Sequence, residues 1–446
     1  MKHALKKLIP KPILNLRHLF FAWWGAVKYH HPSDDLIVIG ITGTSGKSTT
    51  IYILRKLLES LGYRVGSLST IDFCIGGENK LNDQKMTMLG RMQIQKYLRE
   101  MVDKKCEIAI VETTSEGRVQ HRHRGINYDI MALTNLYPEH IESHGGFENY
   151  RKAKLDLFSH LSKCKTKIIR EKKMEKAIVV NGCSECADEF LSVDVMKKYV
   201  TARNDEELFV SMSRFDHEVR LILGKEVSSD RDGIHLIVDG VELNAPMQGL
   251  HNAGNILTAV AICEALHIDV RKLPSAFSTI QNPPGRLESI SEAEAHGFHV
   301  IVDYAFEPKA MTALYESILH LNPKRIIHVL GGTGGGRDVE RRFTVGAFVG
   351  EHADFCVVTD EDPYDENPMD IINDVADAVM KKGKKDGETL FRVLDRVDGI
   401  RKGIEIAKPG DIVLITGKGS EQGMCVGGGK IIPWDDRVIA RDVLNR

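Results

Sequence analysis

Residues 43–49, Gly-Thr-Ser-Gly-Lys-Ser-Thr, form a glycine-rich turn between two segments of different hydrophobic pattern. Residues 36–41 are a continuous apolar run typical of a buried parallel strand, and the apolar residues of 51–61 recur at helical spacing. This order directs the backbone N–H groups of the turn and a helix N-terminus at one spot, where anions bind. It predicts a phosphate-binding loop in which Lys47 contacts the β and γ phosphates and Ser48 offers its hydroxyl to Mg²⁺.

The loop departs from the general pattern G-x-x-x-x-G-K-[ST] at one position, because Ile41 stands where the first glycine belongs. A chance Gly-Lys-Ser in an ordinary turn is the alternative interpretation. The strand before the loop and the amphipathic helix after it favour the phosphate loop.

Composition excludes several classes of protein. Sixty basic and sixty-two acidic residues give a formal charge of −2, which favours neither nucleic acid nor an anionic surface as the partner. The eight cysteines are scattered, unlike a secreted disulfide framework. No apolar segment approaches the roughly 20 residues that a membrane helix needs. We therefore expect a cytoplasmic monomer that binds no nucleic acid.

Apolar runs and helical segments alternate along the chain in two series separated by Asn282-Pro-Pro-Gly285. Strands are predicted at residues 36–41, 108–111, 130–133 and 177–180, and then at 300–302, 325–330, 355–358 and 412–416. The pattern predicts an α/β fold: a P-loop-containing, doubly wound central ATPase domain over 34–282, followed by a Rossmann-like α/β C-terminal domain over 283–446. Residues 1–33 form a basic, aromatic leader that we expect to be helical.

The loop resembles the shortened phosphate loop of the Mur ligase family, and six further segments resemble motifs of that family in the same order. They are residues 111–115 (VETTS), 134–142 (TNLYPEHIE), 148–154 (ENYRKAK), 249–255 (GLHNAGN), 285–286 (GR) and 303–305 (DYA). The resemblance implies an ATP-dependent ligase that joins an amino acid to a peptidoglycan precursor. An acyl phosphate forms first, and the incoming amine then displaces phosphate through a tetrahedral intermediate.

The resemblance also implies a role for individual residues. The implied catalytic residues are Lys47, Glu112, His140 and Lys154. Ser48, Glu112, His140 and a carbamylated Lys154 would hold Mg²⁺. The implied ATP contacts are Gly43, Thr44, Ser45, Gly46, Lys47, Ser48, Thr49, Asn255, Arg286 and Asp303. Because Arg286 and Asp303 belong to the second domain, domain closure would complete the site.

Within the family, the chain resembles the ligases that add the third residue to a muramoyl-dipeptide. The implied contacts to the muramoyl-peptide are Thr87, Ser115, Gln120 and Arg122. The implied contacts to the incoming amino acid are Arg337, Asp362, Tyr364, Gly417 and Glu421. Members that add diaminopimelate carry an arginine at the position of Tyr364, and a tyrosine cannot pair with a carboxylate as arginine does. We therefore predict a lysine-like or ornithine-like substrate, favoured by Glu361, Asp362 and Glu421.

Several alternatives stay open at this stage. The family carries a domain ahead of the loop that holds the uridine nucleotide, whereas the loop here begins at residue 43. Either the leader substitutes for that domain, or the acceptor is lipid-linked and the leader lies in a membrane interface; a leader helix packed on the first domain is the simpler interpretation. A diaminopimelate-adding enzyme, a ligase for another γ-glutamyl substrate such as a folylpolyglutamate synthetase, and a non-catalytic nucleotide-binding subunit are the remaining alternatives.

Overall fold

The computed structural model describes residues 11–84, 86–138, 144–210, 219–336 and 339–446. The described residues divide into two compact units. The first comprises Met1–Ser228, Ile234–Pro246 and His251–Ile280, and the second comprises Ser229–Gly233, Met247–Leu250 and Gln281–Arg446. Among the described residues, no helix is long and apolar enough to cross a membrane.

The first unit is a layered α/β structure. Its helices are α1 (Lys11–Lys28), α2 (Lys47–Ser60), α3 (Arg91–Asp103), α4 (Ser115–Val119), α5 (Phe147–Ser162), α6 (Ala187–Leu191), α7 (Asn252–Ala265) and α8 (Pro274–Phe277). Its strands are β1 (Ile37–Thr42), β2 (Val65–Leu68), β3 (Asp72–Ile75), β4 (Glu78–Leu81), β5 (Ile108–Glu112), β6 (Ile130–Leu133), β7 (Lys167–Ile169), β8 (Lys172–Met174), β9 (Ala177–Asn181), β10 (Lys197–Ala202), β11 (Val219–Leu223), β12 (Lys225–Ser229), β13 (Ile234–Val238) and β14 (Val241–Ala245).

The main sheet of this unit has the strand order β11-β10-β9-β6-β1-β5-β2-β3-β4. The strands run parallel except at the β3 and β4 edge, where the pairing is antiparallel. From β1 the chain moves to β2 on one side and later to β6 on the other, so the strand order reverses at β1. Ligands of open α/β sheets bind beyond the carboxyl ends of the strands at such a switch point, and the turn at 43–46 lies there.

The leader helix α1 packs on the first unit through small residues. Ala22 and Ala26 are buried, and a Cβ on Gly25 would lie 3.1 Å from Sδ of Met92 on α3. The opposite side of α1 carries large apolar side chains that are exposed, among them Leu16 (68%), Phe20 (54%) and Trp23 (57%). Residues three and four apart share one side of a helix, so these side chains form one continuous exposed apolar face.

The second unit repeats the α/β plan on a smaller scale. Its elements are β15 (Glu288–Ser289), β16 (His299–Val302), α9 (Pro308–Leu319), β17 (Ile326–Leu330), α10 (Val339–His352), β18 (Phe355–Thr359), α11 (Pro368–Met380), β19 (Leu390–Val393), α12 (Arg396–Ile406), β20 (Ile412–Ile415), β21 (Gly423–Val426), β22 (Lys430–Pro433) and α13 (Asp436–Leu444). The sheet order is β15-β16-β20-β17-β18-β19, parallel except for β15. The carboxyl ends of β16, β17, β18 and β20 therefore meet at one edge.

Candidate active site

The turn between β1 and α2 requires glycine at two positions. Gly43 and Gly46 have φ angles of 156° and 76°. A Cβ on Gly43 would collide with the hydroxyl of Thr134, and a Cβ on Gly46 would collide with the side-chain oxygen of Asn255. Both glycines thus permit a close approach that no other residue allows.

Polar residues that follow β6 hold the turn in place. Oδ1 of Asn135 accepts hydrogen bonds from the backbone N–H groups of Thr44 (3.1 Å) and Ser45 (2.9 Å). The hydroxyl of Thr134 donates to the carbonyl of Ser45 at 2.6 Å, and the Tyr150 hydroxyl donates to Oγ1 of Thr44 at 3.2 Å. The loop is therefore tied to the neighbouring strand and to α5.

Two lysines contact the carbonyl groups of the turn. Nζ of Lys47 donates to the carbonyls of Gly43 (3.1 Å) and Thr44 (2.8 Å). Nζ of Lys154, on α5, is buried, donates to the carbonyl of Gly43 at 2.7 Å and lies 4.5 Å from the centroid of the Tyr150 ring. Two ammonium groups beside one anion-binding turn favour a highly charged ligand such as a triphosphate.

Glu112, the last residue of β5, joins the turn to the end of β2. Its buried Oε2 accepts hydrogen bonds from Oγ of Ser48 (2.9 Å) and from the backbone N (2.7 Å) and Oγ1 (3.0 Å) of Thr70. Oγ1 of Thr70 lies 3.1 Å from Oγ1 of Thr87. Thr70 was not predicted from the sequence, although its position just after a strand in the same sheet is a signal of the same kind as that of Glu112.

The oxygen atoms around Glu112 fit a magnesium ion. Mg²⁺ is bound in proteins through one or two carboxylates, with phosphate oxygens and water completing the shell. Glu112 and Ser48 supply a carboxylate and a hydroxyl 2.9 Å apart beside the predicted phosphate site. The described residues, which do not include His140, contain no group of three or more His, Cys, Asp or Glu that could hold a metal ion.

Asn255 contacts the turn from α7. Its Oδ1 accepts a hydrogen bond from Oγ1 of Thr50 at 3.2 Å, and its Nδ2 donates to Oδ1 of Asn252 at 2.8 Å. These bonds fix the amide next to Gly46, at the mouth of the loop.

The four residues predicted to contact the muramoyl-peptide lie in two adjoining segments. Ser115 is buried at the start of α4, directly after β5. Arg122 donates to the carbonyl of Met88 and, at 2.8 Å, to Oε1 of Gln120. Since Thr87 precedes Met88, both segments border the side of the site occupied by Glu112 and Thr70.

In the second unit, Asp303 follows β16, and both of its carboxylate oxygens accept hydrogen bonds from backbone N–H groups. Its carboxylate accepts hydrogen bonds from the N–H groups of Leu287 (2.7 Å) and Ala305 (2.6 Å), and burial raises the pKa of this carboxyl. The guanidinium of Arg286 stacks on the ring of Tyr304, 4.2 Å from its centroid.

A small, open cavity lies at the carboxyl edge of the second sheet. It is lined by Ala305, Phe306, Met311, Leu330, Gly331, Gly332, Thr333, Arg341, Arg342, Val345, Glu361, Thr416 and Gly417. Glu361 is buried, accepts a hydrogen bond from the Thr333 hydroxyl at 3.2 Å and has a pKa raised by burial. The cavity thus combines apolar walls with a carboxyl and the guanidinium of Arg341, which stacks on Phe306 at 4.6 Å.

The other two acidic residues predicted for the amino-acid site share one buried lysine. Nζ of Lys418 donates to Oδ1 of Asp362 (2.9 Å) and to the carbonyl of Gly423 (2.7 Å), and lies 2.9 Å from Oε2 of Glu421. Tyr364, which was also predicted for the amino-acid site, has a φ of 52° and donates its backbone N–H to the carbonyl of Cys425 at 3.1 Å. Of the acids proposed from the sequence, Glu361 alone lines the cavity. His140 and Arg337 lie outside the described residues.

The chain matches two family models in succession. Residues 41–263 match the Mur ligase middle domain, and residues 285–419 match the glutamate ligase domain of Mur ligases. The chain belongs to the Mur ligase family. The α/β fold with a P-loop unit followed by a second α/β unit, predicted from the sequence, is confirmed.

Relatives within the Mur ligase family match almost the whole chain. The UDP-N-acetylmuramyl-tripeptide synthetase of Roseiflexus sp. (strain RS-1) is 31% identical, over 98% of this chain and 84% of the relative. The UDP-N-acetylmuramoyl-L-alanyl-D-glutamate–2,6-diaminopimelate ligase 1 of Clostridium acetobutylicum is also 31% identical, over 94% of this chain and 80% of the relative. This Mur ligase is therefore an ATP-dependent, amide-bond-forming enzyme of peptidoglycan synthesis.

A solved structure outside the muramoyl-peptide ligases has the same fold. The folylpolyglutamate synthase of Mycobacterium tuberculosis, complexed with ADP and AMPPCP, aligns with a TM-score of 0.66 and 17% identity, over 96% of this chain and 95% of that chain. At this identity the likeness shows the fold alone.

Proposed function

We propose that this ligase adds the third residue to a muramoyl-dipeptide and that this residue is a diamino acid of the lysine or ornithine type. The observation that supports the choice of amino acid is Glu361, a buried carboxyl that lines the cavity of the second unit. A distal ammonium would pair with this carboxylate, whereas the extra carboxylate of diaminopimelate would be repelled by Glu361 and would compete with it for the guanidinium of Arg341.

In the proposed reaction the substrate carboxylate attacks the γ-phosphate of ATP and ADP leaves. The amine then attacks the acyl phosphate, loses a proton and displaces inorganic phosphate. Lys47 and the N–H groups of the turn stabilise the charge on the transferred phosphoryl group. Ser48 and Glu112 would hold Mg²⁺, which neutralises phosphate charge when bound. The roles implied for Asn255, Arg286 and Asp303 toward the nucleotide, and the carbamate on Lys154, stay predictions.

One assay tests this function. The protein is incubated with magnesium-ATP, UDP-N-acetylmuramoyl-dipeptide and one amino acid at a time, and phosphate release and product mass are measured. We expect turnover with lysine or ornithine and little with diaminopimelate. Equal turnover of lysine and diaminopimelate would refute the proposed selectivity. No turnover with any amino acid would refute the UDP-linked acceptor and favour a lipid-linked one.

Replacing Glu361 with glutamine is expected to lower kcat/KM for lysine by about tenfold or more. Losing one partner of a buried charge pair costs about 2 kcal/mol or more, and each 1.4 kcal/mol is a factor of ten. Glu351→Gln is the control, because Glu351 pairs with Lys382 at the surface of the same unit and neither residue lines the cavity. A variant that keeps the selectivity of the parent would show that the distal ammonium binds elsewhere.

We also propose that the exposed apolar face of α1 contacts a membrane interface peripherally. Trp23 and Trp24 lie on this face, and Arg17 and Lys28 are exposed on the same helix. Amphipathic helices with aromatic and basic residues bind in the headgroup region.

The double variant Trp23→Ala/Trp24→Ala should reduce cosedimentation with phosphatidylglycerol vesicles by about tenfold or more, because each buried large side chain contributes roughly 1.5–3 kcal/mol. Leu319→Ala/Leu394→Ala removes two exposed apolar side chains of the second unit and serves as the control. Equal recovery of all three proteins in the supernatant, with and without vesicles, would refute the contact.

A further inference from the structure

The leader helix α1 and helix α3 run side by side in the same direction. Gly25 of α1 packs on Met92, near the start of α3. Farther along, Nε of Arg99 donates to the carbonyl of Tyr29 at 3.1 Å. His18 precedes Gly25 by seven residues, which is two helical turns. His18 therefore lies level with the segment that leads into α3, whose first residue is Arg91, and Arg91, His121, Arg17 and Arg122 are the charges that act on its imidazole.

Two arginines of the first unit are anchored to the same glutamine at this place. Nε of Arg91 donates to the carbonyl of Gln120 at 2.7 Å, and Arg122 donates to the side-chain oxygen of Gln120 at 2.8 Å. His121 lies between Gln120 and Arg122 in the chain and has a positive φ of 57°. We name Arg17, His18, Arg91, His121 and Arg122 the leader cation cluster.

Among the described residues, three side-chain nitrogen atoms of the leader cation cluster are buried without a hydrogen-bond partner. They are Nη2 of Arg91, Nε of Arg122 and Nδ1 of His121. Buried polar atoms in native proteins are nearly always hydrogen-bonded, so each exception indicates a missing ligand or water.

Counter-charge is scarce in the leader cation cluster. Within the described ranges no carboxylate acts on Arg91. Burial, followed by Arg122 and Arg17, lowers the pKa of Arg91 to about 10, and burial with Arg91, His121 and Arg17 lowers the pKa of His18 to about 4. Glu116 is the acidic residue that acts on Arg122. Because a pKa of about 4 leaves His18 uncharged near neutral pH, the positive charge of the cluster lies on Arg17, Arg91 and Arg122, and an anion would offset it.

We propose that the leader cation cluster binds a phosphate group of the acceptor substrate or of its carrier. Planar guanidinium groups with free N–H donors match phosphate oxygens, and two of them together suit a diphosphate. The cluster adjoins Gln120 and Arg122, so, resting on the proposed function, this phosphate is the one that links the muramoyl sugar to its carrier. The leader thereby takes part in holding the acceptor. The carrier phosphate belongs either to a nucleotide or to a lipid headgroup.

Binding of inorganic pyrophosphate to the full chain tests the site without requiring turnover. The titrations use the Lys47→Ala background without Mg²⁺, so that the phosphate loop contributes little. We expect Arg91→Gln to weaken pyrophosphate binding at least tenfold, Arg17→Gln/His18→Asn to weaken it severalfold, and Arg91→Lys to restore part of the loss. Lys96→Gln is the matched control, because Lys96 is an exposed residue of α3 paired with Glu100. Equal binding by the Arg91→Gln and Lys96→Gln proteins would overturn the proposal.

The source of the phosphate is distinguished by two further ligands. Binding of UDP that depends on Arg91 would identify a nucleotide carrier, and binding of phosphatidylglycerol over phosphatidylcholine vesicles that depends on Arg91 would identify a lipid headgroup. Arg91-dependent binding of pyrophosphate alone would mean an adventitious ion only and would overturn the proposal. If the protein turns over no amino acid but its pyrophosphate binding depends on Arg91, the proposed function is refuted and this site stands. If the ligase is active and Arg91→Gln leaves pyrophosphate binding unchanged, the proposed function stands and this site is refuted.

Discussion

Replacement of Lys47 by alanine is expected to lower kcat by about a hundredfold to a thousandfold, the range found when one preorganised donor to a developing charge is removed. Nζ of Lys47 lies 2.8 Å from the carbonyl of Thr44, at the turn proposed to bind the phosphates. The fold should persist, because hydrogen bonds with Asn135 and Thr134 hold the turn independently of Lys47. The measurement is phosphate release at saturating ATP, together with the midpoint of thermal unfolding.

Lys56→Ala is the control for Lys47, since Lys56 is a partly exposed residue of the same helix that pairs with Glu59. Its kcat should match that of the parent within a factor of two, because exposed ion pairs contribute only about 0–1 kcal/mol. Unchanged kcat in the Lys47 variant would show that the glycine-rich turn is not where the γ-phosphate lies.

Replacement of Arg396 by methionine should lower the free energy of unfolding by roughly 3–5 kcal/mol, the cost of leaving one member of a buried ion pair without its partner. Arg396 and Asp436 are both fully buried and make two hydrogen bonds, at 2.9 and 2.7 Å. Arg396 also donates to the carbonyls of Asp360 (3.0 Å) and Thr416 (2.8 Å). These bonds fix the loops after β18 and β20.

Tryptophan fluorescence during urea unfolding measures this effect in the second unit. Outside α1, the chain's remaining tryptophan is Trp434, whose Nε1 donates to Asp436 at 2.8 Å. A Trp23→Phe/Trp24→Phe background therefore reports on the second unit. Arg401→Met, on the same helix with a partly exposed pair to Asp398, should cost less than about 1 kcal/mol. An equal decrease in the free energy of unfolding in the two variants would contradict a larger contribution of the buried Arg396–Asp436 pair.

The main parallel strands of both units were predictable from the sequence, because the strands of buried parallel sheets are nearly continuous apolar runs. The run at 36–41 became β1, and the helix after the turn became α2, with Ile51, Leu54 and Leu58 buried. The β3 and β4 edge was not predicted. β4 has the sequence Glu-Asn-Lys-Leu and is mostly exposed, so it lacks the apolar pattern by which strands are recognised.

The candidate site was predictable where residues follow a strand end or lie in the turn, as Glu112 and Lys47 do. It was not predictable where the partner is distant in the chain. Thr70 joins Glu112 across 42 residues, and Lys418 joins Asp362 across 56. Local pattern carries no information about such pairs. The neutralisation of Asp362 by Lys418, which leaves the cavity to Glu361, needed the three-dimensional structure.

The turn at 43–46 has a thermodynamic consequence for ATP binding. Hydrogen bonds that Asn135 accepts and that Thr134 and Lys154 donate already hold its conformation before any nucleotide arrives. Ordering a flexible segment costs roughly 1–2 kcal/mol for each residue that must be fixed, and a loop that is preorganised avoids this cost. The free energy of the phosphate contacts can then appear as affinity, and the entropy of association should be less unfavourable than for a loop that closes around its ligand.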